Sequence, residues 1–138
     1  MIWRDLQDKS TIGLTLNRLG LVAVHRDDLE QARSLFEESL EYQQGLKDME
    51  GIAMCLEGLA CVLEAQGQLM RALHLYGAAE SLRENVDVPL PISEQQLHER
   101  IINAVRQQLE PYTFAAAWAA GRALSFDQAI AEALRLTD

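Results

Sequence analysis

The amino-acid sequence repeats itself with an offset of 40 residues. The segment LQDKSTIGLTLNRLG at 6–20 returns as LKDMEGIAMCLEGLA at 46–60, and the similarity continues into the residues that follow both segments. In the first copy the shared positions are Leu6, Asp8, Ile12, Leu16, Leu19, Val22, Leu29, Ala32, Leu35 and the aromatic Phe36. Most are apolar and recur every three or four residues, which is typical of one face of an α-helix.

Each copy is predicted to form a helical hairpin. The apolar spacing is interrupted once per copy, by HRDD in the first and AQGQ in the second, and both interruptions are polar. A polar break between two amphipathic stretches indicates a tight turn. Helices are expected at 2–6, 11–25, 28–46, 50–65 and 69–84. Helical pairs repeated at such a period form solenoids, in which each hairpin buries its apolar face against its neighbours.

The last third of the chain does not follow the repeat. The segment NVDVPLPIS contains two prolines and is predicted to be a linker, because proline cannot continue a helix. Ser93 with Gln96, and Ser125 with Gln128, have the spacing of capping boxes, so a helix is expected to begin at each serine. Pro111 suits the first turn of a third helix between them. These helices are expected to cover the end of the solenoid.

A single domain is expected, since 138 residues provide one ordinary core. Its predicted parts are helical repeats at 1–86, a linker at 87–92 and a helical cap at 93–138. Residues 1–9 align with the end of a hairpin and are interpreted as the remnant of a preceding repeat. Ile2, Trp3 and Leu6 are therefore candidate residues for an interface at this end, covering part of the helix at 11–25.

The charge and hydropathy of the chain exclude several functions. Its net charge is −9, from 21 acidic and 12 basic side chains, which disfavours direct binding of nucleic-acid phosphates. No apolar run is long enough to span a membrane, and the N-terminus lacks a signal-peptide pattern. Cys55 and Cys61 point to different sides of one predicted helix, so they are expected to be reduced packing residues in a cytoplasmic protein.

The two hairpins resemble tetratricopeptide repeats. The matching positions are Leu16, Leu19, Gly20, Ala32, Phe36 and Ser39 in the first copy, and Leu56, Leu59, Ala60, Ala72, Tyr76 and Ala79 in the second. The period of 40 exceeds the usual period of about 34, which implies longer helices. The resemblance implies an all-α, right-handed α-α solenoid of about two repeats plus half a repeat, with an irregular three-helix C-terminal cap.

A second resemblance extends over nearly the whole chain. WRDLQDK, LFEESLEYQ, GLACVLEAQGQLMRALHLYGAAESLRE and FAAAWAAGRALSFDQAIAEAL together are similar to the C-terminal repeat region of large bacterial ATPase-type transcriptional regulators. In that family a nucleotide-binding switch domain precedes the repeats, and a LuxR-type or other output domain lies elsewhere. The resemblance implies a sensor or interaction segment of such a regulator.

No catalytic or cofactor-binding motif accompanies these features. The sequence contains neither G-x-x-x-x-G-K-[ST] nor HExxH, and no nucleophile stands beside the acidic pairs. Glu94 and His98 lie four residues apart, and a surface pair is favoured over a metal site. No cofactor, metal or catalytic residue is predicted, and the protein is expected not to be an enzyme.

The concave groove of the solenoid is the candidate binding site. In tetratricopeptide arrays the first helix of each hairpin faces inward. Its candidate residues are Leu14, Asn17, Leu21, Val24 and His25 in the first copy, and Met54, Glu57, Cys61 and Glu64 in the second. Glu57 and Glu64 would repel a carboxylate, so the groove is predicted to suit a helix or extended segment with basic residues.

Three functions remain open from the sequence. The favoured one is a non-catalytic protein–protein interaction and regulatory module, whose partner is a protein, a peptide or another domain of the same full-length chain. The alternatives are a self-assembling, homodimeric structural module and a small-ligand sensor. Trp118, which lies among alanines, is interpreted either as an anchor for a partner or, preferably, as a plug of the cap.

Overall fold

The computed structural model describes the backbone of residues 2–134 and the side chains of residues 7–134. This part of the chain contains seven α-helices and no strand, which confirms the all-α class. In chain order they are α1 (Ile2–His25), α2 (Leu29–Leu46), α3 (Met49–Ala65), α4 (Leu69–Val86), α5 (Ile92–Gln108), α6 (Pro111–Arg122) and α7 (Phe126–Leu134). None of these described helices is sufficiently long and apolar to cross a membrane.

Tight turns close both hairpins at the predicted interruptions. Between α1 and α2, Asp27 adopts a left-handed conformation with φ of 60°, and the Asp28 carboxylate accepts a hydrogen bond from the Gln31 backbone N–H at 3.3 Å. Between α3 and α4, Gly67 provides the positive φ, at 80°. Asp28 therefore caps the start of α2. Gly67 allows the chain to turn from α3 into α4, because glycine adopts a positive φ without steric cost.

The start of the chain differs from the prediction. The repeat predicts separate helices at 2–6 and 11–25, but α1 is continuous through both. In the second copy the chain breaks at Lys47, which is left-handed with φ of 57°, and Asp48 then caps α3. Asp8 occupies the equivalent position in the first copy but lies inside α1. A left-handed residue costs about 1–3 kcal/mol unless its surroundings fix it, and the continuous α1 avoids that conformation.

This continuity corrects the interpretation of the predicted repeat remnant at 1–9. Residues 2–9 extend α1, so they cannot fold back onto the helix at 11–25. The side chains of the candidate interface residues Ile2, Trp3 and Leu6 lie outside the described ones.

The two hairpins stack through the ring of Phe36. This fully buried side chain from α2 lies between Gly20 of α1 and Gly58 of α3, and a Cβ atom at either glycine would overlap with the ring. One turn later, the Ser39 hydroxyl donates a hydrogen bond to a backbone carbonyl of α1 at 2.6 Å. The Cys55 thiol of α3 donates to the same hydroxyl oxygen at 3.3 Å. These contacts fix α3 against the first hairpin.

The cap packs on α4 through two different surfaces. α6 crosses α4 at Gly77 and Gly121, where each glycine lies against the backbone of the other helix and leaves no space for a Cβ. α7 lies against a further face of α4, and its Ile130 and Ala133 are buried in the main core. The second hairpin is therefore enclosed between the first hairpin and the cap.

The two predicted capping boxes have different outcomes. At α7 the prediction is confirmed: the Ser125 N–H donates to Gln128 Oε1 at 2.9 Å, and the Gln128 N–H donates to Ser125 Oγ at 3.1 Å. At α5 it is wrong, because the first backbone hydrogen bonds of the helix are accepted by the Pro91 carbonyl and no side chain caps it. Ser93 therefore lies inside the first turn.

The equivalent apolar positions of the two hairpins differ in burial. Ile12, Leu19 and Val22 of α1 are 42%, 49% and 46% exposed. Their counterparts 40 residues later are fully buried; they are Ile52, Leu59 and Val62. We call the three residues of α1 the α1 stripe. The described chain leaves this stripe uncovered, whereas α3 has the first hairpin packed against it.

Candidate functional site

Six of the nine predicted groove residues line one cavity of about 200 Å³. Three come from α1 and three from α3, at spacings that place each set on one helix face. These six are Asn17, Leu21, His25, Met54, Glu57 and Cys61. The structure therefore brings together the two inward-facing helices, as the hairpin arrangement predicts.

The other three predicted residues lie outside this lining. Val24 packs against the main hydrophobic core, and Leu14 is half-buried on α1. Glu64 is also half-buried, and burial raises the pKa of its carboxyl. None of these three side chains lines the cavity.

Glu57 is held by an arginine that the sequence interpretation did not include. Arg83 of α4 donates from Nε to Glu57 Oε2 at 2.6 Å and from Nη2 to Glu57 Oε1 at 2.8 Å. Both residues are buried, with 8% and 5% exposure for Glu57 and Arg83. Burial raises the pKa of Glu57, and the hydrogen bonds from Arg83 oppose that rise. The prediction that Glu57 repels a carboxylate is therefore weakened, because its charge is balanced.

Asn17 brings an unsatisfied acceptor to the same cavity. The residue is 3% exposed, and its Oδ1 has no hydrogen-bond partner among the described residues. A buried polar group without a partner costs about 1–3 kcal/mol. A hydrogen-bond donor reaching this oxygen would remove that cost.

The N-terminal part of α5 covers one side of the groove. Its contribution to the cavity lining is Ser93, Glu94, Leu97 and His98. The sequence signal was the apolar spacing of this helix, but that spacing identifies an amphipathic face without identifying the surface it covers. The chain therefore already places one helix across the inward face of α3.

The two cysteines behave as buried thiols. Burial raises the pKa of Cys55 to about 12 and that of Cys61 to about 11. Cys61 lies 3.2 Å from the hydroxyl of Tyr76, and both cysteines are free. Because the thiolate is the reactive form, these positions are suited to packing and not to nucleophilic chemistry.

His98 contacts an aromatic ring and has an acidic neighbour on its own helix. Its imidazole meets Tyr76 edge-to-face, with ring centroids 5.4 Å apart and planes at 71°. Burial lowers the pKa of His98, while Glu94 acts in the opposite direction. Among the described side chains, no group of three His, Cys, Asp or Glu residues is arranged to hold a metal ion.

Trp118 packs on the core, as the plug interpretation predicts. It contacts both hydrophobic clusters and stacks on Phe114, with centroids 6.0 Å apart and planes at 13°. Its indole N–H donates to Glu80 of α4 at 3.3 Å. Trp118 therefore joins α6 to α4.

Two stacked hairpins with an inward groove define a helical-repeat binding scaffold. A family model for the tetratricopeptide repeat matches residues 11–85, more than half of the chain. The protein belongs to the tetratricopeptide repeat family, whose repeats generally mediate protein–protein interactions and are typically non-catalytic. Neither a curated protein nor a solved structure matches the chain.

Proposed function

We propose that this chain is a non-catalytic protein–protein interaction and regulatory module that binds a partner segment in the groove between α1 and α3. The observation that carries the proposal is that α5, a helix of the same chain, already contributes Leu97 and His98 to the lining of the groove. The groove therefore accommodates an amphipathic helix, which is a recurring mode of peptide recognition. The partner segment lies over α1, beside α5.

The lining indicates the chemistry of this segment. Leu21 and Met54 offer apolar contacts, and Asn17 offers an unsatisfied oxygen to a donor. Because Arg83 balances Glu57, the remaining acidic side chain in the cavity lining is Glu94. A helix or extended segment with apolar anchors and one or two basic residues fits these groups best.

The wider context of the proposal rests on the resemblance to bacterial ATPase-type transcriptional regulators. In this context the chain is the C-terminal repeat segment of a cytoplasmic, LuxR-type regulator, and the groove binds another domain of the full-length chain or a protein partner. The net charge of −9 supports leaving DNA contacts to a separate output domain.

Groove variants in the full-length protein test both levels of the proposal. Leu21→Arg and Met54→Arg introduce a charge into the lining, and Tyr112→Arg is the control, because Tyr112 is 83% exposed on α6. We expect the groove variants to change ATP turnover and reporter transcription while circular dichroism stays unchanged. Unchanged regulation would contradict a groove function. Absence of an encoded ATPase beside the segment would contradict the regulator context alone.

A second candidate function, homodimerisation, is favoured by the α1 stripe. Its three apolar side chains are each more than 40% exposed, and exposed apolar patches commonly mark interfaces. Sedimentation velocity tests this function. A dimer that Leu19→Glu dissociates would support it, and a monomer at high protein concentration would contradict it.

A further inference from the structure

A cavity of about 440 Å³ lies beside the groove, along a neighbouring face of α5. Glu57 and His98 line both spaces, whereas Gln95, Glu99 and Ile102 of α5 line only this one. The remaining walls come from α4, the linker before α5, and Trp118 of α6. Its size falls in the range of small-molecule sites, about 300–1,000 Å³.

The buried ion pair fixes the floor of this cavity. While Arg83 holds Glu57, its Nη1 also donates to the backbone carbonyls of Val88 and Pro89 at 3.3 and 3.4 Å. The linker is thereby attached to α4, and its apolar side chains face the cavity. A site that is formed before binding loses little conformational freedom when a ligand enters.

Apolar and aromatic side chains form the walls. They are Tyr76, Val88, Leu90, His98, Ile102 and Trp118. Tyr76 and His98 hold each other edge-to-face, and the indole of Trp118 is fixed by its stack on Phe114. These walls suit an apolar body, and aromatic rings also attract cations through their π-faces.

The side chains around the cavity carry a net negative charge. Glu80, Glu84, Asp87 and Glu99 surround the cavity, in addition to the balanced Glu57. Arg122 bridges two of these carboxylates, with Nη1 at 2.5 Å from Glu80 and Nη2 at 2.6 Å from Glu84. One arginine against four carboxylates leaves the surroundings negative, which attracts cations and repels anions.

We propose that this cavity binds a small organic cation, an ammonium or guanidinium group carried on an apolar body. The body lies against Trp118 and Ile102, and the cationic group faces Asp87 and Glu99. This site is distinct from the α1–α3 groove, although Glu57 and His98 border both.

Fluorescence of Trp118 gives a local measurement of binding. Trp3→Phe leaves Trp118 as the single tryptophan of the chain. In that background we expect 2-phenylethylammonium to produce a saturable change in emission. The neutral 2-phenylethanol and the anionic phenylacetate share its phenyl body, and both should bind at least about tenfold more weakly if the carboxylates recognise the charge. Equal binding of the neutral or the anionic probe would overturn the proposal.

Isosteric substitutions identify the carboxylates involved. Asp87→Asn with Glu99→Gln removes two exposed charges, and asparagine tolerates the left-handed conformation of Asp87. The expected loss of affinity is about three- to tenfold. Glu38→Gln with Glu41→Gln is the control, because it makes the same change of net charge on α2. An equal loss in the control would show a non-specific attraction and overturn the site.

A capped lysine amide distinguishes the two sources of such a cation. Tighter binding of 2-phenylethylammonium assigns the cavity to a free amine. Tighter binding of Nα-acetyl-lysine methylamide assigns it to a protein side chain. Either result supports recognition of an organic cation, and failure of both probes to bind contradicts it.

Discussion

Equivalent positions of the two hairpins hold Asn17 and Gln43 in the first and Glu57 and Arg83 in the second. All four side chains are buried. In the second hairpin they form a two-point ion pair, with N–O distances of 2.6 and 2.8 Å. In the first hairpin, Asn17 Oδ1 and Gln43 Oε1 lack hydrogen-bond partners among the described residues.

The equivalent apolar faces of α1 and α3 show the same contrast. The α1 stripe is uncovered, while its counterparts on α3 are fully buried. The second hairpin therefore pairs its buried Glu57 with Arg83 and fully buries the counterparts of the α1 stripe. The first hairpin retains uncovered apolar surface and unsatisfied polar groups, which are properties of a surface that binds.

The largest expected effect comes from breaking the buried ion pair. Glu57→Asn leaves the Arg83 guanidinium buried without its counter-charge, which should cost about 3–5 kcal/mol. Denaturant unfolding measures this loss. The double variant Glu57→Asn with Arg83→Gln, which copies the first hairpin, should cost less than the single variant. A fully additive double variant would show that the two charges do not stabilise each other.

Paired leucine truncations test the comparison between the equivalent apolar faces of α1 and α3. Leu59→Ala should lower the free energy of unfolding by about 2–5 kcal/mol, since Leu59 is fully buried. Leu19→Ala, at the equivalent position of the α1 stripe, should cost less than about 1 kcal/mol. Both values follow from urea titrations of dilute protein. Equal losses would mean that the α1 stripe is covered in solution.

A smaller effect is expected at His98, beside the second hairpin. Burial lowers the pKa of His98 below 6.5, so the folded protein binds this proton less tightly than the unfolded chain. Stability should therefore fall as the pH decreases from 6.5 through the folded-state pKa. His98→Phe keeps an aromatic edge against Tyr76 and should reduce this pH dependence. An unchanged pH profile would assign the dependence to other groups.

Much of the fold follows from local sequence patterns. The period of 40, the polar interruptions and the Ser125–Gln128 spacing predict the hairpins and the start of α7. The continuous α1 could not be predicted in this way, because Asp8 and Asp48 have the same local pattern and differ in their tertiary surroundings. At α5 the helix begins one residue before Ser93, so Ser93 and Gln96 do not cap it although they have the spacing of a capping box.

The candidate site shows the same division. Helix periodicity and the repeat place six groove residues together. The partner of Glu57, Arg83, lies 26 residues away on another helix. The spacing of apolar residues within a helix contains no information on such a pairing. The position of α5 depends on a linker held by Arg83, and apolar spacing contains no information on that contact.

Thiol labelling tests the central contrast between the hairpins most directly. Thr15 is exposed on α1, and its counterpart Cys55 is fully buried. In dilute native protein, Thr15→Cys should add one rapidly labelled thiol, while Cys55 and Cys61 stay unlabelled until unfolding. A slow reaction at Thr15→Cys, or rapid labelling of the native cysteines, would contradict an open first hairpin and a sealed second one.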